Sequence, residues 1–455
     1  MALSGLDIYK LLPGGIKPPH PKANCKECGF PTCLAFAMKL AAKQAELAAC
    51  KYVSDEAKAR LSAAAAPPIR LITLSADGRK VEVGNETVLF RHEKTFFHPT
   101  GLLVRVPDTL AAAEITSLAK AVAEYKVDYV GMALKLDGLA VEAVSGDAGK
   151  FAAAVATVRG ACTLPLVLVT EDPALMAAGL AKAAGVTPLL CAAKAANWEA
   201  MAKLAKEAKA PLVIRADSVQ GLAELTEKLV AAGVEDLALD PVVRSFGGSL
   251  NMLTQLSRLA RKKTFRPVGY PIITFPYLGA ADPAMEQLLA GQQIAKYAGL
   301  VMLGRFDPAL VYPLLVLRAN LFTDPQKPIQ VEPGVYPINK PTADAPVLVT
   351  TNFSITYFAV ANEMESSGLP AWLLVADAEG MSVLTAWAAG KFDAEKIAKT
   401  VKGTGIAEKV GHRKVVIPGH VAVLMGELEE ELPGWQIKVG PREAVDLPRF
   451  IKTAW

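Results

Sequence analysis

Between residues 70 and 322 the chain alternates short, unbroken apolar runs with longer amphipathic stretches, and this rhythm restricts the fold more than any other feature. The runs fall at 102–106, 128–132, 165–169, 188–192, 211–215, 236–240, 271–275 and 300–304. Continuous apolar runs of this length suit parallel strands buried on both faces, because a strand with one wet face alternates polar and apolar residues instead. Helical patterns such as 174–184 and 198–208 separate them. Eight β-α units in about 250 residues predict a (β/α)8 TIM-like barrel. A doubly wound open sheet is the alternative that periodicity leaves open. Residues 71–90 read as a hairpin able to cap the lower end of such a barrel.

The flanking segments divide the chain further. Residues 1–58 hold a small cysteine-bearing unit, and an Ala-Pro stretch at 59–69 reads as a linker. A second linker spans 323–345; its prolines cannot propagate a helix or a central strand. From 346 to 455 the β-α alternation resumes, with strands expected at 347–350, 372–376, 414–417 and 436–439. Helices are expected between them at 357–367, 381–389 and 393–401. This predicts a small, Rossmann-like open α/β sheet, a class that binds ligands outside the carboxyl ends of its strands.

Four of the six cysteines lie in the first unit, spaced C-x2-C-x4-C-x16-C as Cys25, Cys28, Cys33 and Cys50. Four soft thiolates suit iron–sulfur or zinc. Structural zinc sites usually pair two short knuckles across a longer gap. Here three cysteines share one turn, with Gly29 and Pro31 to shape it, and the fourth follows a helix expected at 34–47. Three close ligands and one remote ligand fit a [4Fe-4S] cubane, the preferred reading; zinc and unligated thiols are the alternatives. Cys162 and Cys191 stand alone in apolar surroundings and read as packing residues.

The bulk numbers remove several function classes. A formal net charge of +4 over 455 residues gives no concentrated basic face, which argues against a nucleic-acid binder. No basic segment followed by an apolar one opens the chain, and no run of about 18 apolar residues marks a membrane span. A soluble, cytoplasmic protein without membrane attachment is expected.

The stretch Asn24-Cys-Lys-Glu-Cys-Gly-Phe-Pro-Thr-Cys33, with Leu12-Pro-Gly-Gly15 before it and Ala378-Glu-Gly-Met-Ser-Val383 far downstream, resembles one family closely. Together with the order of the three units, it is similar to the large (γ) subunit of the corrinoid iron–sulfur proteins of the acetyl-CoA (Wood–Ljungdahl) pathway. The resemblance covers essentially the whole chain and implies a methyl carrier rather than a stand-alone catalyst. A cobamide would take methyl on Co(I) from methyltetrahydrofolate through a methyltransferase. As methyl-Co(III) it would donate that methyl to acetyl-CoA synthase, the partner of CO dehydrogenase. The [4Fe-4S] cluster would return adventitious Co(II) to Co(I). A small corrinoid iron–sulfur subunit would complete a heterodimer, in an anaerobic setting.

No D-x-H-x-x-G signature is present: neither His412 nor His420 has an aspartate two residues earlier. A base-off cobamide without a histidine ligand is therefore expected. Its binding loops should follow the last unit's strands and include Thr351, Asn352 and Ser354, then Gly380, Met381, Ser382 and Val383, then Pro418, Gly419 and His420, and finally Gly440. Small residues there let backbone approach a broad ring. Two further readings belong to other classes. Asp240, Arg215 and Arg305 near barrel strand ends suggest a pterin-dependent methyltransferase. A reductive activator of a separate corrinoid protein would need a nucleotide site, and no G-x-x-x-x-G-K-[ST] occurs.

Overall fold

The computed structural model describes residues 4–41, 44–65, 67–129, 132–323 and 329–455. Its strands, in chain order, are β1 (Ile72–Ala76), β2 (Arg79–Val83), β3 (Gly101–Pro107), β4 (Lys126–Tyr129), β5 (Met132–Lys135) and β6 (Gly138–Glu142). Then come β7 (Leu166–Val169), β8 (Leu189–Ala193), β9 (Leu212–Arg215), β10 (Leu237–Asp240), β11 (Ile272–Thr274) and β12 (Ala298–Leu303). The last are β13 (Gly334–Ile338), β14 (Val347–Thr351), β15 (Ala371–Ala376), β16 (Lys414–Ile417) and β17 (Gln436–Val439). The chain divides into two compact units: one holds residues 1–93, 97–124 and 136–314, the other 94–96, 125–135 and 315–455.

In the first unit eight parallel strands close into a barrel in the order β10-β11-β12-β3-β6-β7-β8-β9. The closed barrel settles the choice against an open doubly wound sheet. The interior is packed, not hollow: Leu103, Val167, Leu189, Val213, Ile273 and Met302 lie in one buried cluster. The antiparallel β1–β2 hairpin adds Ile72, Leu74, Val81 and Val83 to that cluster, closing one end. The barrel helices start where the sequence supplies a cap. Asp147, Asp172, Ser218, Ser245 and Asp282 each accept a hydrogen bond from a backbone N–H in the first turn of the helix that follows.

Seven of the eight expected barrel runs are strands of the barrel; 128–132 is not. Its residues divide between β4 and β5, a separate antiparallel pair with every second side chain exposed in β4. The missing barrel strand is β6, Gly-Leu-Ala-Val-Glu, whose short run opens on glycine. Residues 130–131 lie outside the described ones.

The cysteine module at the start of the first unit has a small core of its own around Leu12, Phe36, Val53 and Leu61, with Cys33 and Cys50 buried in it. Its main helix, Cys33–Ala41, is shorter than the sequence suggests. A second helix, Asp55–Ala65, runs on into the alanine-rich stretch, as alanine's high helix propensity favours.

The second unit is a five-stranded sheet ordered β13-β15-β14-β16-β17. The four expected strands pair in parallel. The fifth, β13, comes from the proline-rich segment and pairs antiparallel with β15 at the sheet edge, where Pro337 costs no ladder bond to a further strand. The sheet is covered on both faces: Ile397, Val401 and Leu428 belong to one apolar cluster, Met364, Leu447 and Phe450 to the other. Tyr129 of β4 and Met132 of β5 pack against the second of these clusters. Residues 324–328 lie outside the described ones.

Candidate functional sites

The cysteine turn is built from left-handed backbone. Asn24, Lys26 and Gly29 all have positive φ, at 55°, 65° and 82°. Cys25 and Cys28 are half-exposed, while Cys33 and Cys50 are buried. Thr32 caps the helix that begins at Cys33, its hydroxyl accepting the Ala35 N–H at 3.0 Å. The remote cysteine, Cys50, is tied back by the Tyr52 hydroxyl, which donates to the Glu27 carboxylate at 2.8 Å and joins the Cys50 segment to the Cys25–Cys28 turn. Burial is the largest influence on the Cys50 thiol and raises its pKa; the Tyr52 N–H opposes this, and the neighbouring Cys28, Cys33 and Cys25 thiols raise it further. Cys25, Cys28 and Cys33 thus all lie near enough to Cys50 to act on its thiol. Among the described residues no three His, Cys, Asp or Glu side chains gather closely enough to hold a single ion. All-thiolate donors around a turn whose Asn24 N–H already points at the Cys33 sulfur fit an iron–sulfur cluster, whose charge such an N–H can stabilise.

In the second unit a cavity of about 330 Å³ opens beside the carboxyl ends of β14, β16 and β17. Of the residues singled out from the sequence, Ser382, Val383, Pro418, His420 and Gly440 line it. Thr351, Asn352, Ser354, Gly380, Met381 and Gly419 are not part of that lining. Asn352 is buried and works as a tie: its Oδ1 accepts the N–H groups of Ala378 and Gly380, both at 2.9 Å. Those bonds join the loop after β14 to the loop after β15. Gly419 acts through the backbone. A Cβ there would lie 2.5 Å from the Gly440 carbonyl oxygen, so the loops after β16 and β17 can cross only at glycine. Ser382 bonds Thr385 by its hydroxyl at 2.9 Å. His420 approaches Glu443 at 3.9 Å. His412 is spent elsewhere, with Nε2 against the Ala345 carbonyl at 3.0 Å and its ring edge-on to Trp455.

Thr350 is a lining residue that sequence reasoning passed over. It is buried in the cavity floor, and its hydroxyl has no hydrogen-bond partner among the described residues. The cavity takes Leu348, Val349 and Thr350 from this run but not Thr351, and nothing in Val-Leu-Val-Thr-Thr separates the two threonines. Ile355, Thr356, Leu384 and Arg442 also line it and were likewise not legible as site residues.

The barrel's strand ends carry a charged network. Asp240 is fully buried and accepts from Arg215 Nε at 2.7 Å and from both terminal nitrogens of Arg244 at 2.8 Å. Arg215 also donates to Glu171 at 2.6 Å, and Lys194 pairs with the same carboxylate. Arg105 pairs with Glu142, whose other oxygen faces the Tyr277 hydroxyl at 3.4 Å. Arg305 is exposed, 3.8 Å from Glu286. Burial pushes the Cys191 thiol up to about 12. The charges at this end of the barrel satisfy one another.

Two family models divide the chain between them. One, for an Fe-S cluster, matches residues 21–52, the module that carries the four thiols. The other matches residues 71–451, the barrel and the second unit, and the chain belongs to its family: the CO dehydrogenase/acetyl-CoA synthase delta subunit. Over 452 residues, 99% of each chain, it is 46% identical to the corrinoid/iron-sulfur protein large subunit of Moorella thermoacetica. It is 37% identical over 463 residues to the acetyl-CoA decarbonylase/synthase complex subunit gamma of Methanopyrus kandleri, covering 99% of this chain and 97% of that one. The gamma subunit of Archaeoglobus fulgidus is 36% identical over 472 residues, with 99% and 98% covered. Among solved structures, a dihydropteroate synthase from Xanthomonas albilineans matches 54% of this chain and 97% of its own, at 15% identity and a TM-score of 0.39. The resemblance first read from the cysteine motif and the order of units is borne out by these full-length relatives. No helix among the described residues is long and apolar enough to cross a membrane.

Proposed function

We propose that this chain is the large subunit of a corrinoid iron–sulfur protein that carries methyl groups in acetyl-CoA synthesis. When bound, the corrinoid supplies a cobalt centre that takes methyl from methyltetrahydrofolate, through a methyltransferase, and gives it to acetyl-CoA synthase, while a [4Fe-4S] cluster supplies the electron that restores Co(I). The observation that carries the reading is the pairing, in one chain, of a four-thiol module with a cavity at the carboxyl ends of a parallel sheet. Cys25, Cys28, Cys33 and Cys50 hold the cluster, one thiolate for each corner iron.

The cavity is too small for a whole cobamide, since pockets of ~300–1,000 Å³ suit drug-sized ligands. It would receive one end of the molecule. Its apolar walls, Val349, Ile355, Leu384 and Ile417, suit a heteroaromatic base, and the Thr350 hydroxyl offers that base a hydrogen bond. The Gly419–Gly440 crossing lets bare backbone meet the ring. His420 lies beside Glu443, and the cofactor would be held base-off, without a histidine ligand. Ile355, Leu384, Val423 and Val445 are exposed in the helical segments that follow β14, β15, β16 and β17. Such side chains call for cover, which the small subunit provides in the heterodimer.

The deciding experiment is anaerobic purification of the chain with its small partner, followed by metal analysis and methyl transfer. About four irons and one cobalt per heterodimer, with a corrin band that shifts when methyltetrahydrofolate and the methyltransferase are added, support the reading. Iron without cobalt points instead to a reductase, and zinc alone removes the reading of the cysteine module.

A further inference from the structure

Asn24 grips Cys33 at two points. Its backbone sits at φ 55°, in the left-handed region that asparagine adopts more readily than most residues. Its side-chain Oδ1 accepts the Cys33 N–H at 2.8 Å, and its own backbone N–H donates to the Cys33 sulfur at 3.3 Å. The first bond satisfies an N–H at the start of the helix Cys33–Ala41, which has no partner within its own helix. The second puts a positive dipole end on a ligating sulfur. The other side of that sulfur is closed by Gly14: a Cβ there would lie 2.9 Å from the Cys33 Cβ and 3.3 Å from its sulfur. The Tyr9 hydroxyl fixes this loop by donating to the Gly14 carbonyl at 2.7 Å. Water is thereby kept from one corner of the thiol set, and Cys33 is 8% exposed.

We propose that Asn24 is a positioning residue for the cluster's Cys33 corner: its carboxamide holds the turn so that its own N–H stays on the Cys33 sulfur and raises the cluster's reduction potential. The inference rests on the iron–sulfur reading of the module. Hydrogen bonds to cluster sulfurs stabilise the reduced form, which carries one more negative charge, and so move the potential upward. The effect is largest where solvent is excluded, because a dipole acts more strongly in a low dielectric. The carboxamide is the part of this device that substitution can remove; the N–H that touches sulfur belongs to the backbone.

The test compares Asn24→Gly and Asn24→Asp with the parent heterodimer, purified anaerobically, by iron content and by an EPR-monitored redox titration. Glycine keeps the left-handed backbone and loses only the acceptor. The expected result is iron content equal to the parent's, with a cluster midpoint shifted to more negative values and an altered EPR line shape. An unchanged midpoint and line shape at full iron content would overturn the proposal. Aspartate keeps an acceptor of the same reach, so Asn24→Asp should load iron fully even where Asn24→Gly does not. Loss of iron in both variants would also overturn it, because position 24 would then be needed for something other than its acceptor. A parent protein that binds no iron–sulfur cluster is a separate outcome, and it would remove the underlying reading instead.

Discussion

Arg244 holds both carboxylate oxygens of the buried Asp240 at 2.8 Å, and Arg215 takes a third hydrogen bond on the same carboxylate. A group so fully engaged cannot also bind a substrate. Asp240→Ala should therefore act on stability: Arg244 loses its carboxylate partner and Arg215 keeps only Glu171, a change that costs about 3–5 kcal/mol. Chemical denaturation of the barrel would report it. Iron and cobalt content of the folded fraction should stay at the parent's level, and a loss of cobalt would mean that the barrel mouth takes part in cofactor binding.

Glu171 gives the same network a pH dependence. Burial pushes its carboxyl up, but hydrogen bonds from Lys194 and Arg215 outweigh this and hold it below the usual carboxylate range. Its contribution to stability is thus complete above the pKa of an unfolded glutamate and fades as pH falls through the lower, folded value. The denaturation midpoint of the parent should drop on acidification through that window. Glu171→Gln should start lower at neutral pH and fall less steeply.

The crossing of Gly419 beneath Gly440 can be tested apart from the cluster. Gly419→Ala places a methyl group 2.5 Å from the Gly440 carbonyl oxygen, so one loop must shift. Overpacking of this kind costs about 1–3 kcal/mol. Cobalt content should fall while iron content stays unchanged, because the two sites belong to different units.

Thr350→Val removes a buried hydroxyl that has no partner among the described residues and keeps its shape. The cofactor-free chain should hold its melting temperature or gain, since an unsatisfied buried hydroxyl costs about 1–3 kcal/mol. Corrinoid retention should weaken, as followed by the corrin band after gel filtration. Equal retention would show that the hydroxyl makes no bond to the cofactor.

The six cysteines should divide cleanly. Serine at Cys25, Cys28, Cys33 or Cys50 should each remove most of the iron. Cys191, with its thiol pushed up to about 12 by burial, should resist alkylation at neutral pH in the native protein, as read by mass spectrometry.

What the sequence made legible follows from where the signals are periodic. Seven barrel runs are mostly apolar because both faces are buried, and they can be read one by one. Residues 128–132 misled for a physical reason: Asp128 and Tyr129 continue the rhythm in sequence, yet they belong to a two-stranded hairpin with a wet face. The true strand, β6, is easily passed over because its five residues open on Gly138. Proline suppressed β13 in the same way, although an edge strand tolerates Pro337. The four N-terminal thiols stood out in the sequence because one short spacing motif holds them. The cavity was half legible: strand ends point to Pro418 and Gly440, but no one-dimensional pattern says that Thr350 faces the cavity or that Asn352 turns its carboxamide into the backbone.

The β4–β5 hairpin lies between two barrel elements in the sequence, yet Tyr129 and Met132 pack against the second unit's core beside Tyr336 and Tyr357. That unit is therefore assembled from separated stretches of polypeptide. A fragment expressed from the proline-rich segment onward would contain every strand of the five-stranded sheet and still be incomplete, with an apolar face stripped of its cover. Gene fusions, domain swaps or truncations that treat the last third of the chain as self-sufficient would cut through a folding unit, and the hairpin would have to travel with it.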